Sequence, residues 1–254
     1  MRRLISVIVP LALLLSGCGP DEAKPDSVAL FLFDSSASCI AQREQYRREF
    51  RQKLMQMEGT RVYVDLIGAN RVPEYPVSFE MPRRKGALSQ YSEDFDRERA
   101  RIADAADAEL QGLFRQHDEA VSKAQKQRAD AAADTNIVLT LSIAANLFQR
   151  DGIRDLTHKE LVVFSDGIQQ SPELDLVSPM LDLENLSKTV AELERQGLVP
   201  SLSKVSVNFG GLAAGKGKEL SAPRIILIRR FWQLYFERTE ARFNPASLDG
   251  SVID

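Results

Sequence analysis

The segment Asp34-Ser35-Ser36-Ala37-Ser38 sets three short oxygen side chains, Asp34, Ser36 and Ser38, at alternate positions directly after an unbroken apolar run. A second apolar run ends in Ser165-Asp166-Gly167, and Thr135 opens a helical pattern between the two. Two carboxylates and three hydroxyls, with no His or Cys among them, form a hard-oxygen donor set. Such a set suits Mg²⁺ that keeps some of its waters, and Mn²⁺ or Ca²⁺ less well. Ligands that are mostly neutral hydroxyls leave the cation electrophilic, so a carboxylate from another molecule can complete its coordination. The plainer alternative is that Asp34 and Asp166 cap turns and hold no metal.

Other chemistry is thinly represented. Gly210 to Gly217 has the G-x-x-x-x-G-K spacing of a phosphate loop, but Gly217 stands where that site needs Ser or Thr, which favours a surface loop. An aspartyl-nucleophile phosphatase wants a second Asp where Ser36 stands, and His117 and His158 are too few and too separated for a Ser-His-Asp set. The sequence therefore reads as a non-enzyme. A formal net charge of -3 gives no basic patch for nucleic acid. Cys39, between a polar loop and a helical pattern, reads as a small buried hydrophobe, with a reactive thiol as the alternative.

The elements that must position these residues alternate between strand and helix. Residues 28–33 are apolar throughout, as in a strand buried on both faces of a parallel sheet. A helix is expected over residues 40–57 with Ile40, Phe50, Leu54 and Met57 inward, then a strand over 61–67. A proline-flanked edge strand follows at 74–80. Phe95, Ile102, Ala106, Leu110, Leu113, Ala120 and Ala124 recur at spacings of three, four and seven, which makes residues 89–132 one long helix or a helical hairpin. It either packs back on its own domain or serves as an interaction arm. Thr135 to Phe148 is helical with Asp134 as cap, 161–164 a buried strand, 181–197 a helix, 204–209 a strand, and 223–243 a closing helix whose Phe231, Trp232, Tyr235 and Phe236 face the sheet. The expected class is α/β: a doubly wound, mostly parallel central sheet carrying an inserted helix or hairpin.

The N-terminus directs the chain to a compartment. Arg2 and Arg3, an apolar run over residues 4–15 and Leu15-Ser16-Gly17-Cys18 resemble the signal and lipobox of bacterial lipoproteins. That resemblance implies removal of residues 1–17, acylation of Cys18, and a short tether over 18–26. Two or three acyl chains anchor stably where one does not. Gly19, where an Asp would favour inner-membrane retention, implies the periplasmic face of an outer membrane.

Taken together, Asp34, Ser36, Ser38, Thr135 and Asp166 resemble the metal-ion-dependent adhesion site of the von Willebrand factor type A domain, written D-x-S-x-S, then Thr, then Asp. The resemblance covers residues 27–243, with 89–132 as an insertion and 244–254 as a tail. It implies that the serines and Thr135 contact Mg²⁺ directly, that the aspartates act through water, and that a protein partner supplies a carboxylate. Members commonly carry Gly before the Thr; here Asp134 stands there, and Thr140 is the fallback. A second expectation is an envelope or mobile-element assembly component that works through its helical insertion, with a vestigial metal site. Partner, process and oligomeric state are not written in the sequence.

Overall fold

The computed structural model describes residues 25–68, 75, 77–84, 93–127, 135–212 and 220–249. Cys18 and the signal lie outside these residues, as do Asp134 and residues 213–217 of the phosphate-loop spacing. No helix among the described residues is long and apolar enough to cross a membrane.

The first strand, β1 (Ser27–Asp34), is central because both of its faces are apolar. Alternate residues serve opposite layers: Ala29, Phe31 and Phe33 join one core, Val28, Leu30 and Leu32 the other. The remaining strands are β2 (Thr60–Ile67), β3 (Val77–Glu80), β4 (His158–Phe164), a small hairpin of β5 (Gln170–Ser171) and β6 (Leu174–Asp175), β7 (Val205–Gly210) and β8 (Arg242–Phe243). Six of them form one sheet in the order β3-β2-β1-β4-β7-β8, all neighbours parallel except β3, which pairs antiparallel to β2 at the edge. The mostly parallel sheet expected from the sequence is present, with the proline-flanked segment at its edge.

Helices cover both faces. On one lie α1 (Arg43–Leu54) and the long α2 (Glu93–Gln127), with Phe33, Phe50, Phe164 and Tyr46 packed edge-on or stacked between α1 and the sheet. On the other lie α3 (Ile137–Phe148), α4 (Leu186–Arg195) and α5 (Ala222–Arg238). Phe231, Trp232, Tyr235 and Phe236 of α5 are fully buried there. Beyond β8 the chain still packs: Ser247 in the turn Pro245–Asp249 accepts a hydrogen bond from the Phe209 amide at 2.9 Å.

Over its described residues, 93–127, the insertion is one unbroken helix of 35 residues. Its stripe holds as far as Phe114: Ala103, Ala106, Leu110, Leu113 and Phe114 are buried, while Ala120 and Ala124 are exposed. Arginines of α1 clamp it through Arg43–Asp118, Arg47–Asp107 and Arg51–Asp104, each at 2.7 Å. Arg43 does more than pair. Its guanidinium also lies 4.5 Å from the Phe114 ring centroid and donates to the Ser35 carbonyl at 3.0 Å, so it ties α2 to the loop after β1. Arg43→Ala should therefore leave the sheet intact and speed amide exchange severalfold over residues 113–123, measured by hydrogen–deuterium exchange.

Candidate metal centre

The strand order reverses direction of winding between β1 and β4, and in open α/β sheets ligands bind in the crevice beyond the strand ends at such a point. Asp34 is the last residue of β1, and Ser165-Asp166 follow β4 directly. The topology thus brings the two carboxylates, far apart in sequence, to adjacent strand ends.

Asp34 is completely buried. Its Oδ1 accepts from the Ser36 amide at 2.8 Å, a local turn that curls the chain back over the strand end. Its Oδ2 accepts from the Ser165 hydroxyl at 2.6 Å, and Ser165 Oγ in turn accepts from the Gly167 amide at 3.0 Å. The Ser36 and Ser38 hydroxyls lie 3.0 Å apart. Ser35, between Asp34 and Ser36, turns away and donates to the Ile67 carbonyl at 2.6 Å. Asp166 Oδ1 accepts from the Ile168 amide at 3.0 Å, whereas its Oδ2 is buried with no hydrogen-bond partner.

Thr135 is tied by its backbone to the chain beyond the Asp166 turn: its carbonyl accepts from the Gln170 amide at 3.2 Å in an isolated bridge. Its side chain makes no hydrogen bond to Asp34, Ser36, Ser38 or Asp166. Thr140 does not substitute for it, because its hydroxyl donates to the Asn136 carbonyl at 2.8 Å inside α3. Of the five residues singled out by pattern, the four on the β1 and β4 loops gather at the strand ends, whereas Thr135 makes no hydrogen bond to them and is tied by main chain to Gln170, four residues beyond Asp166.

Residues that the pattern did not flag complete the centre. The Cys39 thiol and one carboxylate oxygen each of Asp34 and Asp166 all lie within 4.8 Å of one another. The Tyr46 hydroxyl is buried beside Cys39 without a hydrogen-bond partner. Gln169 locks the two loops: its Oε1 accepts from the Ile137 and Val138 amides at 2.6 and 3.1 Å, filling the α3 N-terminus, and its Nε2 donates to Ser171 Oγ at 2.8 Å. The α3 cap is Asn136, which accepts from the Leu139 amide at 3.0 Å, two residues after the Asp134 expected from sequence. Neither Gln169 nor Tyr46 gave a burial signal in the sequence: Tyr46 sits between Gln45 and Arg47, and Gln169 is a polar side chain in a loop.

The electrostatics are those of charge confined away from water. Burial raises Asp34 above its usual range against the opposing bonds from Ser165 and Ser36. Asp166 is pushed up to about 6, first by burial and then by the Asp34 charge, with Ser38 and the Ile168 amide opposing. Burial and then the two carboxylates raise the Cys39 thiol well above its ordinary value, so in the metal-free protein it is protonated.

The β7 and α5 sides leave no slack around these loops. Trp232 Nε1 donates to the Gly167 carbonyl at 3.0 Å, holding the Ser165-Asp166-Gly167 turn from beneath. Gly211 has φ 106, and a Cβ there would stand 2.4 Å from Tyr46 Oη and 2.8 Å from the Ser165 carbonyl. Gly211→Ala should destabilise the protein by about 1–3 kcal/mol, read as a lower urea midpoint at unchanged slope.

No protein-family model matches the chain, and no curated protein matches it. Among solved structures it is similar to proximal thread matrix protein 1 from the mussel byssus, at 11% identity and a TM-score of 0.34. That alignment covers 84% of this chain and 45% of the other, so the chain spans under half the length of the protein it matches. At this level the likeness carries no chemistry across.

Proposed function

We propose that the chain is a von Willebrand factor type A-like domain, anchored by lipid at Cys18 to the periplasmic face of an outer membrane, that binds a protein partner through Mg²⁺. One observation carries the reading: two buried carboxylates, Asp34 and Asp166, meet at the β1/β4 strand ends with one oxygen of Asp166 unpartnered. Left alone, that arrangement buries two mutually repelling acids, which a divalent cation would relieve.

The residues present fit such an ion. The donor set is oxygen-rich, the Ser36 and Ser38 hydroxyls are adjacent, and the orphaned Asp166 Oδ2 is an acceptor lacking a donor. Ser36, Ser38 and Thr135 would hold Mg²⁺ directly, with Asp34 and Asp166 compensating its charge; Mn²⁺ or Ca²⁺ are the alternatives. When bound, the ion supplies an electrophilic position for a partner's carboxylate. The hydrogen bonds from Ser36 N and Ser165 Oγ fix the Asp34 side chain, Trp232 holds the turn that carries Asp166, and Gln169 joins that loop to the start of α3. On this reading the chain is a binding protein rather than an enzyme, and its partner is a protein rather than a nucleic acid.

The test is capture from detergent-solubilised envelope with and without Mg²⁺. The reading expects a partner retained with Mg²⁺ and lost both with a chelator and in the folded Ser36→Ala, Ser38→Ala double variant. Capture that survives both contradicts it.

A second reading makes α2 the working surface. The open groove of about 720 Å³ lined by Arg43, Arg47, Phe114, Arg115, Asp118 and Lys123 favours it. Charge reversal at Arg115 and Lys123 would then abolish capture while the loop variants kept it.

A further inference from the structure

One group inside the candidate centre lies outside the adhesion pattern: the buried thiol of Cys39. Cys39 Sγ, an Asp34 oxygen and an Asp166 oxygen lie within 4.8 Å of one another, and all three residues are at most 2% exposed. A lone thiol or an acidic pair would signify little by itself. Here the Asp166 Oδ2 is buried and unpartnered, and the Tyr46 hydroxyl beside the thiol is buried and unpartnered too. The pocket thus presents one sulfur and two carboxylates to the same small volume, with Ser38 at its mouth.

A hydroxyl-and-carboxylate site prefers hard cations and discriminates little by softness. Adding a thiolate changes that, because sulfur binds Zn²⁺ and its congeners far better than Mg²⁺ or Ca²⁺. Four-coordinate Zn²⁺ takes ligands at about 2.0–2.3 Å and is satisfied by three protein ligands plus a water. Three donors within reach of one another need small side-chain shifts to converge on such an ion.

We propose that Cys39, Asp34 and Asp166 form a second binding mode of the centre, which takes a thiophilic divalent cation of the Zn²⁺ or Cd²⁺ class in competition with Mg²⁺. The inference rests on the adhesion reading only in placing a cation at the same two carboxylates. The Cys39 S–H bond breaks, the proton leaves to solvent, and a metal–sulfur bond forms with no change of oxidation state. With the sulfur occupying one position and the ion drawn inward, the serine-lined face no longer offers the partner's carboxylate a hard, open cation. A soft cation therefore acts as an inhibitor of Mg²⁺-dependent capture.

The test uses the full chain carrying Cys18→Ser, in which Cys39 is the sole thiol. Titration with Cd²⁺ should produce an ultraviolet thiolate-to-metal charge-transfer band that saturates at one equivalent, with release of one proton. The band should disappear in Cys39→Ala and weaken at least tenfold in apparent affinity in Asp166→Asn. Absence of the band while Mg²⁺ still binds overturns this inference alone; absence of any cation binding overturns the adhesion reading with it. A band of unchanged affinity in Asp166→Asn also overturns it, since the thiol would then bind metal outside the cluster. Because the first measurement is made on the chain that retains Cys39, misfolding of a variant does not remove the test.

Discussion

Asp166→Asn should make the metal-free protein more stable at pH 7.5 and abolish the stabilisation that Mg²⁺ confers. The reason is the sign of the shift at this residue. The folded protein raises Asp166 from 3.8 to about 6, so the folded state binds the proton more tightly than the unfolded chain does. Its contribution to stability is fully present below about pH 4 and is lost as pH rises through about 6. A rise of this size corresponds to roughly 3 kcal/mol of differential interaction between the two protonation states. The amide removes the ionisation, though it keeps part of the desolvation cost, so the expected gain is about 1–3 kcal/mol, or about 2–10 °C in the melting temperature. The same linkage makes Mg²⁺ binding release protons near pH 6 and weaken below it. Thermal melts of wild type and Asp166→Asn at pH 5 and 7.5, with chelator or Mg²⁺, read all of this at once. A destabilised, still Mg²⁺-responsive Asp166→Asn would show that the carboxylate is an ordinary turn cap.

Trp232→Ala should have the largest effect on the fold. Trp232 is fully buried among Phe209, Phe231, Tyr235 and Phe236, with ring centroids 5.0–6.0 Å away. Emptying such a site costs about 3–5 kcal/mol. Truncation also strips the Gly167 carbonyl of its donor, worth about 1–3 kcal/mol more when the acceptor stays buried. Together these are a large part of the stability of a domain this size, and the variant should be largely unfolded at 37 °C. Trp232→Phe separates the two roles, since it keeps most of the packing and loses only the bond. It should remain folded by circular dichroism yet bind Mg²⁺ about tenfold more weakly, because the turn that carries Asp166 loses its support. Equal Mg²⁺ affinity in Trp232→Phe and wild type would assign Trp232 to the core alone.

What the sequence makes legible follows from how local each signal is. The six apolar residues before Asp34 declare a strand covered on both faces, and the structure places them at the sheet centre. The alternating oxygens after it need only that strand end to be positioned. Helix limits are harder. Met180 and Leu183 extend the apolar pattern of the helix expected at 181–197, yet they are 85% and 55% exposed, and Asp182 instead caps a turn by accepting from the Asn185 amide at 2.9 Å. The helix begins at Leu186. The closing helix stops at Arg238 because Glu240 adopts φ 61 and turns the chain into β8.

Ile40 and Cys39 show the same difficulty inside the site. Counted on a period of 3.6, Ile40 points inward; the segment is a tighter 3₁₀ turn over Ala37–Gln42, which buries Cys39 and leaves Ile40 55% exposed. Only that local winding brings a thiol to the carboxylates. Gln169 is illegible for a different reason: its role is to join two loops, and neither loop alone predicts it.

The central claim is that one divalent cation sits between the β1 and β4 strand ends. Calorimetric titration of Mg²⁺ into chelator-treated protein at pH 7.5 addresses it most directly. The account predicts one saturable site in the wild type and none in the Ser36→Ala, Ser38→Ala variant at the same folded fraction. A flat wild-type titration, or identical binding in the variant, would contradict it.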